Sequence, residues 1–462
     1  MQNEYHYLFD PDGQIRCHTS EVWRPIARTS LDGLRSTTWL GPFGQQQRDL
    51  LRVMAAVLEA DRLSPRRPRG GKRLERDLAW QRRLSLRIAV ESPDRWKQAI
   101  PQLSGLVSFM TDDAWLFDFD GFVKHHGEQQ LLPFETTNET REVALFSGGL
   151  DSVAGALARS RLHGGRLLAI SACGNDVRGS AQKSALETLR SVGVSASWLK
   201  LDHQLRGAGR PRSGMESSQR SRGLLFLAMG ATAASQLEIA TFAAYETGVG
   251  CINLPTSAAQ VGAHGTRAMH PRTLSLFNDL VAVVLDKSVR VVAPFFLHTK
   301  GELCRLAASD LPALAAVTMS CDEGEGHKQN AMLHCGLCTS CLFRRIALGA
   351  GTSAPDPTTY RDVSTKRHGV YEVNAFENHA SQLLKCQTFD DLLDLDPDAR
   401  FATRYSFSDQ SMATASEAAI FAMFQRYATE IHAYLSSSRP TVAKRIQQPR
   451  KERERDLFSA TR

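Results

Sequence analysis

A pair of glycines between an apolar run and a helical pattern constrains the fold of this chain more than any other feature. After the apolar run of residues 143–146, the chain reads Ser-Gly-Gly-Leu-Asp-Ser at residues 147–152, and an alanine-rich helical pattern follows at residues 153–158. Two consecutive glycines let the backbone adopt positive φ and approach a phosphate group closely. The following helix presents unpaired N–H groups and the positive end of its dipole. The sequence therefore predicts a strand, a phosphate-binding turn and a helix.

The polar side chains of this turn suit a site for phosphate and a metal ion. Ser147 and Ser152 supply hydroxyl donors. Asp151 would repel a bare phosphate, so we expect it to hold Mg²⁺ or to orient a water molecule on that ion. The turn is not a Walker A loop, because no lysine follows the second glycine, and it is not a Rossmann G-x-G-x-x-G motif. A Gly-Gly turn that only caps a helix is the alternative without function.

From residue 142 onward, short β-type runs alternate with helical ones. This alternation is typical of an α/β fold with a doubly wound parallel sheet. The predicted strands lie at 142–146, 166–172, 195–201, 238–244 and 289–293, and the predicted helices at 152–163, 178–192, 221–236, 272–287 and 300–309. Ligands of such sheets bind outside the carboxyl ends of the strands, where the strand order reverses. We therefore expect the site at the end of the first strand.

The 462-residue chain is long enough for two or three domains. Residues 83–90 alternate polar and apolar side chains, which predicts a half-buried strand, and a second strand is expected near residues 115–119. The expected organisation is a small α+β domain at residues 1–139 with a basic insertion at 62–77, an α/β domain at 140–350, a mostly helical region at 351–436, and a basic, disordered tail at 437–462.

The net charge of +7 is concentrated in two segments. Residues 62–77 contain seven Lys and Arg against two acidic residues, and residues 439–462 contain eight against three. Such runs are usually solvated loops or tails, and docking onto a partner protein or a nucleic acid is the alternative. The rest of the chain is therefore slightly acidic, which does not favour a nucleic-acid partner for the α/β domain.

The apolar content is that of a chain which buries a core without crossing a membrane. No stretch approaches the ~20 uninterrupted apolar residues of a membrane span, because charged residues interrupt the most apolar region, at residues 274–297. The first residues do not read as a signal peptide. We expect a cytoplasmic protein that makes no membrane contact.

Four of the nine cysteines fall within a short segment with the spacing C-x13-C-x2-C-x2-C. They are Cys321, Cys335, Cys338 and Cys341. Four thiolates with two C-x-x-C steps can surround one tetrahedral ion, and Zn²⁺ is the favoured occupant. An iron–sulfur cluster is the alternative, since ferredoxin-type sites use similar spacings. No open coordination position is evident, so a structural metal is expected.

The two motifs together resemble a known family. The turn of residues 147–152 resembles the SGGxDS signature of the PP-loop ATP pyrophosphatases, and the pairing of this turn with Ser320-Cys321, the cysteines of 335–341 and Arg344 resembles the QueC family of 7-cyano-7-deazaguanine synthases. Residues 221–227 resemble the R-N-x-x-F-L helix start of that family, with Gly223 in place of Asn, and residues 299–302 are similar to its T-K-x-E segment. The resemblance covers residues 142–345.

The resemblance implies an ATP-dependent C–N ligase with a PP-loop, HUP-like fold. Such an enzyme adenylates the carboxylate of 7-carboxy-7-deazaguanine with ATP and then forms an amide or a nitrile. ATP would be held by Ser147, Gly148, Gly149, Leu150, Asp151 and Ser152.

Four further residues receive roles under this resemblance. Lys300 would be a second phosphate clamp, and Arg222 would anchor a phosphate or carboxylate; for both, a surface position at a helix start is the alternative. Glu246 and Asn253 follow the fourth strand and would bind the guanine-like edge of the substrate, with loop capping as the alternative.

The chain also departs from the family. The substrate segment Y-P-D-C-R is absent, and an ordinary synthase is about half as long. These features resemble the long QueC-like proteins of bacterial anti-phage systems, such as the QatC component of Qat. That resemblance implies a protein partner from a defence operon, and the amine would come from ammonia or from that partner. Two alternatives stay open: a PP-loop enzyme that modifies tRNA or DNA, and a non-catalytic nucleotide-binding subunit.

Overall fold

The computed structural model describes most of the chain. The described residues are 4–19, 22–30, 43–66, 81–123, 140–173, 176–206, 215–216, 218, 220–256, 267–322, 333–360 and 368–446. Residues 67–77 of the predicted basic insertion and residues 447–462 of the predicted tail lie outside this set.

The elements of the described residues are named in chain order. The strands are β1 (Glu4–Phe9), β2 (Gln14–Thr19), β3 (Val22–Ser30), β4 (Arg83–Val90), β5 (Ala114–Gly121), β6 (Thr140–Leu145), β7 (Arg166–Cys173), β8 (Ala196–Asp202), β9 (Gln204–Arg206), β10 (Thr241–Ala244) and β11 (Arg290–Val292). The helices are α1 (Gln45–Leu63), α2 (Pro93–Gln98), α3 (Ile100–Thr111), α4 (Leu150–His163), α5 (Asp176–Ser191), α6 (Arg222–Gln236), α7 (Gly248–Ile252), α8 (Pro271–Val284), α9 (Lys300–Leu306), α10 (Leu311–Val317), α11 (Thr339–Gly351), α12 (His368–Lys385), α13 (Phe389–Leu395) and α14 (Glu417–Ile446).

A six-stranded mixed sheet forms the N-terminal part, in the order β5-β4-β1-β2-β3-β9. Strand β4 pairs in parallel with β1 and β5, and the other pairs are antiparallel. The alternating pattern of residues 83–90 correctly predicts β4, whose Leu84, Leu86 and Ile88 are buried. Strand β9 comes from beyond β8 in sequence, so residues outside 1–139 complete this sheet.

A five-stranded parallel sheet, in the order β11-β10-β6-β7-β8, forms the α/β part. Its strands and the helices α4, α5, α6, α8 and α9 lie where the alternating pattern predicts them, and the doubly wound fold class is confirmed. The strand order reverses between β6 and β10, so the carboxyl ends of these two strands border the crevice where such sheets bind ligands.

The C-terminal region is helical, as the sequence predicts. Helix α14 packs against α7, α9, α11, α12 and α13. It runs to Ile446, ten residues into the segment predicted to be a disordered tail. No helix of the described residues is long and apolar enough to cross a membrane.

A buried ion network joins the N-terminal sheet to the α/β part. The Arg82 side chain is fully buried and donates to Asp61 Oδ1 at 2.6 Å and to Asp113 Oδ2 at 2.5 Å. The second oxygen of Asp61 accepts from the hydroxyl of Ser221, at 2.8 Å, just before α6. Both carboxylates are buried, so each needs a counter-ion: Arg82 serves both, and Arg66 also pairs with Asp113 at 2.8 Å.

We expect Arg82→Met to lower the free energy of unfolding by about 3 to 5 kcal/mol, because it leaves the buried carboxylate of Asp61 without this counter-ion and that of Asp113 with Arg66 alone. The adjacent Arg83 is half-exposed and pairs with Glu4 at 3.4 Å, so Arg83→Met is the matched control and should cost less than about 1 kcal/mol. Urea denaturation of the two variants measures the difference. Equal losses would show that the network does not stabilise the fold.

Candidate active site

The turn after β6 is closed by its own side chains. The Ser147 hydroxyl accepts from the backbone N–H of Gly149 at 3.2 Å and lies 3.3 Å from the Ser152 hydroxyl. Ser152 in turn donates to the carbonyl of Gly149 at 2.9 Å. These bonds hold the turn in one conformation, so its backbone is organised before any ligand binds.

Gly148 is required by the backbone geometry of the turn. Its φ of 74° lies in the left-handed region, and a Cβ atom there would lie 3.0 Å from Cα of Gln182 on α5. Helix α4 then begins with Gly149 at its N-cap position, and no side chain in the described residues caps it. The first N–H groups of α4 are therefore available to an anion at the end of β6.

Lys300 brings two carboxylates together at the crevice between β6 and β10. Its ammonium donates to Asp151 Oδ2, in the first turn of α4, and to Glu246 Oε1, just after β10, at 2.7 Å. The three side chains come from the N-terminus of α9, the turn after β6 and the loop after β10. The sequence named all three, and the structure places them in one cluster at the point where the strand order reverses.

The cluster holds its lysine in the charged form. Burial disfavours the ammonium, but the carboxylates of Asp151 and Glu246 outweigh that effect and raise the pKa of Lys300 above its ordinary value. For Glu246, burial is the largest effect and the charge of Asp151 adds to it, so the pKa of Glu246 is raised to about 7 although Lys300 acts to lower it. Near neutral pH this carboxyl can therefore exchange a proton.

The four cysteines also lie together. Their Sγ atoms are all within 4.8 Å of one another, and Cys335 Sγ lies 3.9 Å from Cys341 Sγ. Zinc bound to four sulfurs at about 2.3 Å needs sulfur–sulfur separations of about 3.8 Å. Two backbone N–H groups, those of Cys335 and Cys338, donate to Sγ of Cys321 and Cys335 at 3.3 Å each, which favours thiolates. The residues therefore fit a structural zinc ion.

Residues 318–321 connect the cysteine cluster to the turn of residues 147–152. The N–H of Met319 donates to the carbonyl of Gly148 at 3.1 Å. Arg344, buried on α11, donates to Oγ1 of Thr318 at 2.7 Å and to Oγ of Ser320 at 3.4 Å. A metal at the cysteines would thus hold the chain that supports the turn.

Two further predicted site residues, Arg222 and Asn253, lie at the ends of helices. Arg222 is the first residue of α6, beside Ser221, which is bonded to Asp61 of the N-terminal part. Asn253 has a φ of 52° and its N–H donates to the carbonyl of Val249 at 2.9 Å, so its backbone ends α7. The roles of both residues stay predictions.

The segment that contains this site is similar in sequence to a known protein family. Residues 141–351 match the sequence model of the family described as queuosine biosynthesis protein QueC. This part of the chain is QueC-like. The match includes both the turn of residues 147–152 and the four cysteines, and it leaves out five of the six strands of the N-terminal sheet and most of the C-terminal helices.

Two curated relatives are 7-cyano-7-deazaguanine synthases. The protein from Methanothermobacter thermautotrophicus is 36% identical over 89 residues, which are 19% of this chain and 36% of that protein. The protein from Paracoccus denitrificans is 32% identical over 105 residues, which are 22% of this chain and 41% of that protein. The chain therefore spans about two fifths of the length of these relatives.

Loss of a metal ion from the four cysteines should weaken nucleotide binding at the turn of residues 147–152. We expect Cys335→Ser to abolish zinc binding and to weaken ATP binding at least several-fold, because the segment that bonds Gly148 would no longer be held. Cys386→Ser, at a half-exposed cysteine outside the cluster, is the control. Atomic emission and calorimetric titration measure zinc and ATP. Zinc loss with unchanged ATP affinity would contradict the coupling.

The raised pKa of Glu246 gives a pH dependence of stability. An acid whose pKa is raised on folding contributes fully to stability at pH values below its pKa in the unfolded chain. That contribution is lost as the pH rises through its pKa in the folded protein. As the pH rises from 4.5 to about 7, we therefore expect the Tm of Glu246→Gln to increase relative to the Tm of the wild type. Above about pH 7 the difference between the two Tm values should stay constant. A difference that does not change with pH would contradict the shift.

Proposed function

We propose that this protein adenylates a carboxylated 7-deazaguanine with ATP and converts the acyl adenylate to an amide or a nitrile. The observation that carries the proposal is the shared contact of Lys300 with Asp151 and Glu246 at the crevice beside the phosphate-binding turn. The match of residues 141–351 to the QueC family, and two relatives named as 7-cyano-7-deazaguanine synthases, support the substrate class.

The chemistry begins with a carboxylate, which is a poor electrophile. A carboxylate oxygen attacks the α-phosphorus of ATP, the bond to the β-phosphate oxygen breaks, and pyrophosphate leaves. An amine then attacks the activated carbonyl carbon, loses a proton, and expels AMP to give the amide. When the amine is ammonia, a second adenylation at the amide oxygen releases a second pyrophosphate, and loss of AMP and of both N–H protons would then give the nitrile.

The residues of the turn and the cluster would bind and orient these groups. The uncapped N–H groups of α4 and the hydroxyls of Ser147 and Ser152 face the position of the pyrophosphate in this proposal. The Lys300 ammonium would neutralise charge on the phosphates. Asp151 and Glu246 offer carboxylate oxygens, the donor type that Mg²⁺ prefers, and Mg²⁺ bound there would offset the charge of the leaving group.

The finer proposal concerns the biological setting. We propose that the chain acts in an anti-phage defence system, as a long QueC-like component of the QatC type, with a protein partner that supplies the amine. The support is its length: residues 1–140 and 352–462 lie outside the QueC match, and they form five strands of the six-stranded sheet and most of a helical region. A macromolecular co-substrate accounts for these additions better than ammonia does.

Pyrophosphate release and intact mass spectrometry test the proposal. The protein is mixed with ATP, Mg²⁺ and 7-carboxy-7-deazaguanine, with ammonium or a candidate partner protein as the amine. We expect Lys300→Met to lower the rate of pyrophosphate release by about 100-fold or more, because it removes a preorganised charge. Lys287→Met is the matched control, because Lys287 is half-exposed and pairs with the exposed Glu238.

The products distinguish the forms of the proposal. A small-molecule amide or nitrile indicates a synthase, and a mass gain on the partner indicates a protein-conjugating enzyme. If no condition releases pyrophosphate and Asp151→Ala binds ATP as the wild type does, the adenylation proposal is wrong and a non-catalytic nucleotide-binding role remains.

A further inference from the structure

Helix α14 contacts the turn that precedes Lys300 of the proposed site. Thr299, fully buried, precedes Lys300 and forms a capping box with Glu302. The N–H of Glu302 donates to Oγ1 of Thr299 at 3.1 Å, and the N–H of Thr299 donates to Oε2 of Glu302 at 2.8 Å. The position of the Lys300 backbone therefore depends on these two side chains.

Both side chains of the capping box are bonded to α14. The Thr299 hydroxyl donates to Oε1 of Glu430 at 2.7 Å, and the Glu430 side chain is 11% exposed. Arg426 donates from Nε to Oε1 of Glu302 at 2.6 Å and from Nη2 to the carbonyl of Leu297 at 2.9 Å. Arg426 and Glu430 are four residues apart, so they lie on one face of the helix.

The contact of α14 with the turn is close. A Cβ atom at Gly301 would lie 2.5 Å from Oε1 of Glu430, so only glycine lets the carboxylate reach Thr299 here. Met423, three residues before Arg426 on the same face of α14, lies against Gly248. Gly248 is the first residue of α7 and follows Glu246 by two residues. Helix α14 therefore contacts the elements that carry both Lys300 and Glu246.

We infer that helix α14 is part of the active site and that Glu430 is a positioning residue for Lys300, acting through Thr299. This inference rests on the proposed function, and it assigns to the C-terminal region a role in catalysis. Residues beyond 351 lie outside the QueC match, so this support is an addition of the longer chain.

Three variants on α14 test the inference. Glu430→Met removes the acceptor with little change in volume, Glu430→Gln keeps a neutral acceptor, and Glu417→Met is the control at an exposed glutamate of the same helix. Misplacement of a catalytic group by about 1 Å costs on the order of 100-fold in rate. We expect Glu430→Met to lower kcat for pyrophosphate release at least about 10-fold with KM for ATP within about 3-fold.

Glu430→Gln should recover most of that loss, because a neutral acceptor makes a weaker hydrogen bond of the same geometry. Amide hydrogen exchange of residues 297–306 gives a readout that does not need activity. We expect faster exchange there in Glu430→Met and wild-type exchange in Glu417→Met. If Glu430→Met does not unfold cooperatively, Arg426→Met replaces it, with the same expected result.

The outcomes separate the two proposals. If the wild type releases pyrophosphate and Glu430→Met matches Glu417→Met in both kcat and exchange, the positioning role is wrong and the proposed function stands. A loss of kcat in Glu430→Met with unchanged exchange also overturns it, because the turn would not have moved. If the wild type releases no pyrophosphate, the proposed function fails, and faster exchange of residues 297–306 in Glu430→Met but not in Glu417→Met still supports the contact.

Discussion

A buried ammonium between two carboxylates is the interaction on which the rest of this structure depends. Lys300 is the first residue of α9, Asp151 lies in the first turn of α4, and Glu246 follows β10. These three segments meet only because the parallel sheet reverses its strand order between β6 and β10. If the ammonium were missing, the pKa of Glu246 would rise further, because Lys300 acts to lower it, and the neutral carboxyl would no longer be held to α9 by an ion pair.

Two sets of contacts fix the relative positions of these three segments, and we call them supports. On one side, residues 318–321 connect the cysteine cluster to the carbonyl of Gly148, and Arg344 fixes that connection. On the other side, α14 holds the capping box from which α9 starts. The turn that would receive the phosphates is therefore held at Gly148, and the lysine that would neutralise them is held at Thr299. Neither support touches the reacting atoms of the proposed reaction.

The sequence predicted the local features well. The five parallel strands, the turn at residues 147–152 and the cysteine cluster all depend on short patterns, such as alternation, paired glycines and C-x-x-C steps. Glu246 was named from its position after the fourth strand, and Lys300 from the similarity of residues 299–302 to the T-K-x-E segment. The supports were missed, since Glu430 and Thr299 are 131 residues apart in sequence and no periodicity relates them. Strand β9 was missed because Leu205 is its one apolar residue and the segment around it is polar, whereas the equally short β11 lies in an apolar run.

Strand β9 has a consequence for how the chain folds as it is synthesised. Residues Gln204–Arg206 pair with β3 and complete the N-terminal sheet, but they follow three strands of the parallel sheet in sequence. The N-terminal sheet therefore keeps an unpaired edge on the ribosome until more than 200 residues have emerged, and an unpaired edge is open to association with other chains. The two sheets are thus not independent folding units, and a cut between residues 123 and 140 would separate an N-terminal sheet without its last strand.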